Sequence, residues 1–261
     1  MEGQGLVNLE LSDLVLAYGL VLISIALARL MRIGQEWQML WASVRMVVQL
    51  VLVGYLLHFI FSVKNPLPVM AVLLVMGAFS LQVIGGRIKR KMPHFYRVAG
   101  TSLFIGCGGA TFLFSAVIVR SSPWYDPRYL IPLAGMIIGN SMNGATLAAE
   151  RLAAEMRERR EEIETALCLG ASGKQASAPS VRTAFRAALL PTVNTMAAMG
   201  IVSLPGMMTG QILSGTEPIV AVRYQIAIMC AITGAVSVTA YLILLQGYRY
   251  FFSDAQQFLG E

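Results

Sequence analysis

Charge is the property that this sequence lacks most clearly. Only 34 of its 261 residues are charged (20 Lys and Arg, 14 Asp and Glu), whereas a soluble domain carries about 25% charged residues. Apolar residues make up 56% of the chain. This composition argues against a soluble enzyme. The net charge of +6 does not predict nucleic-acid binding, because the bases stand beside apolar runs instead of forming an exposed stripe.

The sequence also lacks a cysteine-based site and a phosphate-binding loop. The three cysteines, Cys107, Cys168 and Cys230, are widely separated and form neither a disulfide framework nor a metal-binding knuckle. A phosphate-binding loop requires Gly-x-x-x-x-Gly-Lys followed by Ser or Thr, but the only Gly-Lys pair, Gly173-Lys174, is followed by Gln175. We therefore expect this chain to bind no nucleotide and no other cofactor itself.

Long apolar runs occupy most of the chain instead. A helix needs about 20 apolar residues to cross a bilayer, and seven runs come close to that length: 14–31, 40–62, 66–85, 98–119, 129–149, 184–204 and 224–246. The runs are continuous rather than alternating, which excludes barrel strands. The sequence predicts an all-α, polytopic membrane protein in which residues 1–261 form one transmembrane domain within the lipid bilayer.

The distribution of bases predicts the orientation. Residues 86–97 contain five bases and no acid, which marks a cytoplasmic loop. Alternation then places the N-terminus outside, and residues 150–183 and the C-terminus in the cytoplasm. The acids Glu2, Glu10 and Asp13 precede the first run, the reverse of a signal peptide, so we expect that run to remain as a span. A bacterial inner membrane is the expected location.

The hydrophilic segment 150–186 holds 13 of the 34 charges. Its first part predicts a solvated continuation of the fifth span, either as a merely solubilising surface or as part of a docking element. A short helix ending at Gly170 follows, because glycine adopts the left-handed C-cap conformation at little cost. Such a stub suits docking into a groove of a partner.

Several motifs carry a resemblance to a known family. Glu164-x-Ala166-x-x-x-Gly170 resembles the EAA coupling loop of ABC-transporter permeases. Further strings make the chain similar to the FetB/YbbM family of ABC permeases: VRMVVQLVLVGYLL (44–57), AGMIIGNSM (134–142), LGASGKQAS (169–177), RAALLPTVN (186–194), VSLPGMMTGQILSG (202–215) and RYQI (223–226).

That resemblance implies a seven-span permease working as a homodimer with two separately encoded ATPase subunits, which would hold ATP and Mg²⁺. It also implies iron export. The residues that it assigns to coupling are Glu164, Ala166, Leu167, Leu169, Gly170, Ala171 and Ser172.

Polar and thioether side chains within the spans suggest a substrate pathway. Arg45 and Gln49 lie one turn apart in the second span, where Arg45 either contacts substrate or snorkels to the headgroups. The remaining pathway candidates are Asn140, Asn143, Asn194, Met196 and Met199. Thioethers suit soft cations, although methionine also fills gaps in cores.

Ser203-Leu204-Pro205-Gly206 is predicted to interrupt the sixth span, because proline removes a helical hydrogen bond and glycine permits a turn. Pro205, Gly206, Met207 and Met208 therefore form either a gate or an ordinary extracellular loop, and Met207 and Met208 are candidate metal ligands.

The sequence thus favours the membrane subunit of an ABC exporter for iron or another transition metal. A permease for a small organic or nucleotide-sugar solute is the alternative, and a non-transporting membrane sensor is the rival from another class.

Overall fold

The computed structural model describes residues 10–62, 65–87, 95–120, 123–253 and 255–259. Most of the basic stretch 86–97 and the acid Glu2 lie outside these ranges, so the predicted orientation stays a prediction. The described part of the chain is almost entirely helical and contains no named strand. This confirms the all-α prediction.

Ten α-helices follow one another along the described chain. They are α1 (Leu11–Leu30), α2 (Glu36–Ser62), α3 (Pro66–Arg87), α4 (Phe95–Leu103), α5 (Gly109–Leu113), α6 (Pro127–Glu158), α7 (Arg160–Cys168), α8 (Gly173–Ala198), α9 (Gly206–Leu213) and α10 (Pro218–Gly247). One π-helical segment, Phe104–Gly108, connects α4 to α5, and a second, Phe114–Val119, follows α5, so that residues 95–119 are continuously helical. A 3₁₀ turn, Tyr248–Phe251, follows α10.

Five helical stretches within the described residues are long and apolar enough to cross a membrane: Leu11–Leu30, Glu36–Ser62, Pro66–Gly86, Phe95–Val119 and Pro218–Phe251. They coincide with five of the seven predicted spans. The other two, 129–149 and 184–204, fall mainly on α6 and α8, whose polar residues lower their hydropathy. A multi-pass membrane protein is confirmed, and the count of seven stays a prediction.

Local sequence explains where several helices begin. Pro127 opens α6, and the carboxylate of Asp126 accepts a hydrogen bond from the backbone N–H of Arg128 at 3.0 Å. Pro218 likewise stands at the start of α10. A proline suits the first turn because its missing N–H would have no intrahelical partner there.

Residue contacts divide the described chain into two compact units. The first holds α1 and α2 together with residues 213–215. Tyr18 and Ser43 share a hydrogen bond of 2.7 Å between these two helices, while most of their apolar side chains are exposed, as expected of helices that lie in lipid. The prediction of one domain over 1–261 stays a prediction.

The second unit contains α3 to α8, most of α9, and α10. Its centre is built where α6 packs against α8 and α10. Small residues line this contact and let the helix backbones approach closely: Gly144, Ala145, Ala148, Ala184, Ala188, Ala235 and Ala240. Gly106, in the first π-helical segment, approaches α10 so closely that a Cβ there would lie 3.1 Å from the carbonyl oxygen of Ala235.

Candidate functional site

The connection from α6 to α8 forms a compact helical elbow, residues 159–172. Helix α6 continues well past the predicted end of the fifth span and stops at Glu158. Arg159 then leaves helical geometry, and α7 begins at Arg160. Segment 150–183 is therefore mostly helical, which agrees with the predicted continuation of the fifth span and with the predicted short helix before Gly170.

Ion pairs at helical spacing stabilise the start of this elbow. Arg159 Nε donates to the Glu162 carboxylate at 3.0 Å, and Arg160 Nε donates to Glu164 at 2.8 Å. The hydrogen bond to Glu162 raises the pKa of the Arg159 guanidinium above its ordinary value. Glu164, the first predicted coupling residue, thus has a partner on its own helix.

The apolar side of α7 fixes the elbow to the second unit. Ile163 is buried, and Leu167, one turn later, packs against the same cluster, which includes Leu152 and Ala184. Leu169 points away from this cluster with 84% of its surface exposed. An exposed leucine on an anchored turn is therefore available to a partner.

Gly170 ends the helix as predicted, with φ +90°. Its N–H donates to the carbonyl of Leu167, and the N–H of Ala171 donates to the carbonyl of Ala166, both at 3.0 Å. These two bonds constitute a Schellman motif. Among the described residues other than its chain neighbours, none has an atom within 4 Å of a Cβ placed on Gly170, so backbone conformation is what restricts this position.

Helix α8 begins immediately after the turn. The Ser172 side chain caps it by accepting from the N–H of Gln175, while the Gln175 side chain accepts from the N–H of Ser172 at 2.9 Å. The chain's C-terminal segment also reaches this point, since Gln256 Oε1 accepts from the N–H of Gly173 at 2.8 Å. Sequence reasoning missed Gln256, because a contact between residues so distant along the chain leaves no local pattern.

The thioether candidates lie at the other end of α8, where it meets α10. Met199 and Met207 are partly buried and pack against the same core cluster, which contains the buried Met229 of α10. Met196, 46% exposed, has its Sδ 3.3 Å from the hydroxyl of Thr233. The structure therefore places Met196 and Met199 where α8 meets α10, whereas Met207 and Met208 are partly buried on α9.

A buried amide accompanies these sulfurs. Gln225 of α10 is 7% exposed, and its Nε2 lies 3.8 Å from Sδ of Met199. Its Oε1 has no hydrogen-bond partner among the residues that the structure describes. Gln225 was not predicted, although its place within an apolar run next to Arg223 could have singled it out.

Residues 199–205, between α8 and α9, are non-helical, but of the predicted gate residues only Pro205 lies in this segment, because Gly206, Met207 and Met208 belong to α9. Helix α8 ends at Ala198, before the predicted span end at 204, and Gly200 adopts φ +87°. Gly206 instead opens α9 without a positive φ. The chain turns at Gly200 because the bonds from Gly200 N–H to Ser203 O (2.9 Å) and from Val202 N–H to Ala198 O (2.9 Å) close there; Pro205 only precedes the next helix.

The remaining pathway candidates have exposed side chains. Arg45 and Gln49 are exposed on α2 in the first unit. Asn140 and Asn143 are exposed on α6, and Nδ2 of Asn140 donates to the carbonyl of Met136 on its own helix at 2.8 Å. Asn194 is exposed on α8. Their pathway roles stay predictions.

Comparison with known proteins identifies the family. The model of the Uncharacterised protein family (UPF0014) matches residues 11–252. The chain is 42% identical to the UPF0014 membrane protein slr1647 of Synechocystis, over 97% of this chain and 98% of that protein. It is 32% identical to the probable iron export permease protein FetB of Escherichia coli, over 96% and 95%, respectively.

A plant protein shows similar relatedness: the UPF0014 membrane protein STAR2 of rice is 35% identical over 93% of this chain and 84% of its own length. No solved structure matches the chain. With a family match across nearly all of its helices, the chain belongs to the UPF0014 family of membrane proteins.

Proposed function

We propose that this protein is the membrane-spanning permease subunit of an ATP-driven exporter, coupled to a separately encoded ABC ATPase through the elbow formed by residues 159–172. The observation that carries the proposal is the exposed Leu169 on a turn that is anchored on both sides. One side is α7, fixed through Ile163 and Leu167; the other is α8, capped by Ser172.

This elbow is mechanically suited to transmit a displacement. Helix α8 connects the elbow to Ala198 and contains Pro179 and Pro191 in its interior; at about 1.5 Å per residue it is about 39 Å long. A displacement of Leu169 can therefore be passed along one helix to the region of Met196 and Met199.

The substrate in this proposal is iron or another transition metal. The relative FetB is named a probable iron export permease, and the methionines at the α8–α10 seam supply ligands that suit a soft or borderline cation. Two copies of the chain would assemble with two ATPase subunits, which bind ATP and Mg²⁺.

The coupling proposal is tested by co-purifying the chain with an ABC ATPase partner in lipid and measuring binding and ATP hydrolysis. Leu169→Asp should abolish docking without unfolding the chain, because the side chain is exposed, whereas Leu169→Met should retain it. Metal accumulation in inverted vesicles then tests the substrate, and uptake of a nucleotide sugar instead of metal would support the organic-solute alternative.

A second pair of variants separates backbone geometry from side-chain contact. Gly170→Val forces a branched residue into the left-handed region, at a cost of about 1–2 kcal/mol, while Gly170→Asn tolerates that region. We expect valine to weaken ATPase stimulation and asparagine to preserve it. Equal stimulation by both variants would refute the role of the Schellman turn.

A further inference from the structure

The α8–α10 seam contains a polar atom that the fold itself does not satisfy. Gln225 is 93% buried, since only 7% of its surface is exposed, and its Oε1 has no hydrogen-bond partner within the described residues. A buried polar group without a partner costs about 1–3 kcal/mol. Such a group is retained where a ligand, an ion or a water completes it.

The atoms around this amide are those of a soft-cation site. The other amide atom, Nε2, contacts Sδ of Met199 at 3.8 Å, so a sulfur and an unsatisfied amide oxygen belong to one small cluster. A thioether accepts soft cations such as Cu(I) and holds hard cations poorly.

The end of α8 adds favourable electrostatics. The helix stops at Ala198, with Met199 as its C-cap, and the last carbonyls of a helix lack intrahelical partners. The C-terminus of a helix carries about half a negative charge. This partial charge favours a cation beside Met199 without any carboxylate.

The ligand atoms of this cluster, one thioether sulfur and one amide oxygen, narrow the class of cation that it can bind. Within the described residues, no group of three or more His, Cys, Asp or Glu side chains could hold a metal ion. A hard divalent ion needs several oxygen ligands and charge compensation, neither of which this cluster supplies. A monovalent soft cation requires fewer oxygen ligands and less charge compensation.

A second set of the same atom types lies farther along the seam. Sδ of Met196 is 3.3 Å from the hydroxyl of Thr233, which also donates to the carbonyl of Met229 at 2.8 Å. Eight residues separate Thr233 from Gln225 on α10, or about 12 Å along the axis. Several weak binding sites spaced along a pathway allow an ion to pass, whereas one tight site would retain it.

We propose that Gln225 Oε1 and Met199 Sδ form a low-affinity binding station for a soft, thioether-accepting cation of the Cu(I) class, with the Met196–Thr233 pair as a second station. The inference deepens the proposed permease function by naming its substrate class. It concerns cation binding by the isolated chain, so it can fail while ATPase docking succeeds.

The test uses Ag(I), a redox-stable soft cation, with the full-length chain in lipid nanodiscs. All three cysteines are replaced by alanine, because thiolates would otherwise capture silver. Binding is measured by competition with a chelator and by the rise of the unfolding temperature, since a ligand that binds only the folded state stabilises it. If that background does not fold, the native chain is used with its accessible thiols blocked by N-ethylmaleimide.

We expect Met199→Leu and Gln225→Leu each to weaken Ag(I) binding about tenfold or more, the loss typical of a disturbed metal site. Gln225→Leu should also raise or preserve the unfolding temperature without silver, because it removes an unsatisfied buried amide. A purely structural glutamine would give the opposite result.

Two matched variants serve as controls. Met156→Leu changes a methionine that is fully buried in the other core cluster, and Gln246→Leu changes an amide whose Nε2 donates to the carbonyl of Leu242 at 3.2 Å. Neither should alter Ag(I) affinity. The proposal is overturned if the Met199→Leu and Gln225→Leu variants bind Ag(I) as tightly as the chain without these substitutions, or if Mg²⁺ at equal concentration displaces Ag(I).

Discussion

Gly144 offers the sharpest test of how the central helices of the second unit are packed. A Cβ at this position would lie 2.7 Å from Cγ1 of Val236 on α10 and 3.5 Å from the carbonyl oxygen of Ala188 on α8. Carbon atoms in contact prefer about 3.5–4.0 Å. One added methyl must therefore displace α10 or the Val236 side chain by nearly 1 Å.

The fully buried Val236 has no room to yield. Overpacking of this kind costs about 1–3 kcal/mol, and we expect Gly144→Ala to lower the unfolding free energy by that amount. Val236→Ala alone should cost about 2 kcal/mol, because it removes two methyl groups and leaves a cavity. The double variant should lose clearly less than the sum, with a coupling of about 1–2 kcal/mol.

The assay is reversible unfolding in mixed detergent micelles. Gly139→Ala is the matched control: it lies on the same helix, and beyond that helix's own backbone the described part of the chain has no atom within 4 Å of the added Cβ. That variant should be neutral or gain up to about 1 kcal/mol from helix propensity. The reasoning is refuted if the two glycine variants are equally stable, or if Val236→Ala fails to rescue Gly144→Ala.

Two further predictions concern the elbow and its surroundings. Gly173→Ala places a methyl about 3.0 Å from the Phe252 ring, so it should detach the C-terminal segment and speed its proteolysis; unchanged cleavage would contradict the contact. In a Cys230→Ser background, a water-soluble maleimide should label the exposed Cys168 and leave the buried Cys107 unmodified, and a bound ATPase subunit should slow the labelling of Cys168 severalfold. Labelling of Cys168 that the ATPase leaves unchanged would place the docking surface elsewhere.

The helix end at Gly170 shows what could be predicted from local sequence. A small residue after an amphipathic stub predicts a left-handed C-cap, and the φ of +90° confirms it. The gate shows the opposite case. Pro205-Gly206 is the stronger local signal for a turn, yet the chain turns at Gly200, because hydrogen bonds among residues 198–203 stabilise the turn there.

The contacts of the methionines with polar side chains of α10 were predicted only in part. Met196, Met199 and Met207 stand close to one another in the sequence, so their grouping was visible. Gln225 and Thr233 belong to another helix, and only the packing of α8 against α10 brings them to the thioethers. The same reason explains why Gln256 at the start of α8 was not foreseen.

The sequence by itself determined the class of the molecule: scarce charge and long apolar runs admit only helices in a membrane, since backbone polar groups must be satisfied within each segment there. It also determined the elbow, whose glycine, cap and ion pairs act within a few residues. Only the tertiary structure decided which polar atoms remain unsatisfied. That outcome depends on which side chains of α8 and α10 face each other, and helix contacts between distant residues leave no periodic trace in either helix alone.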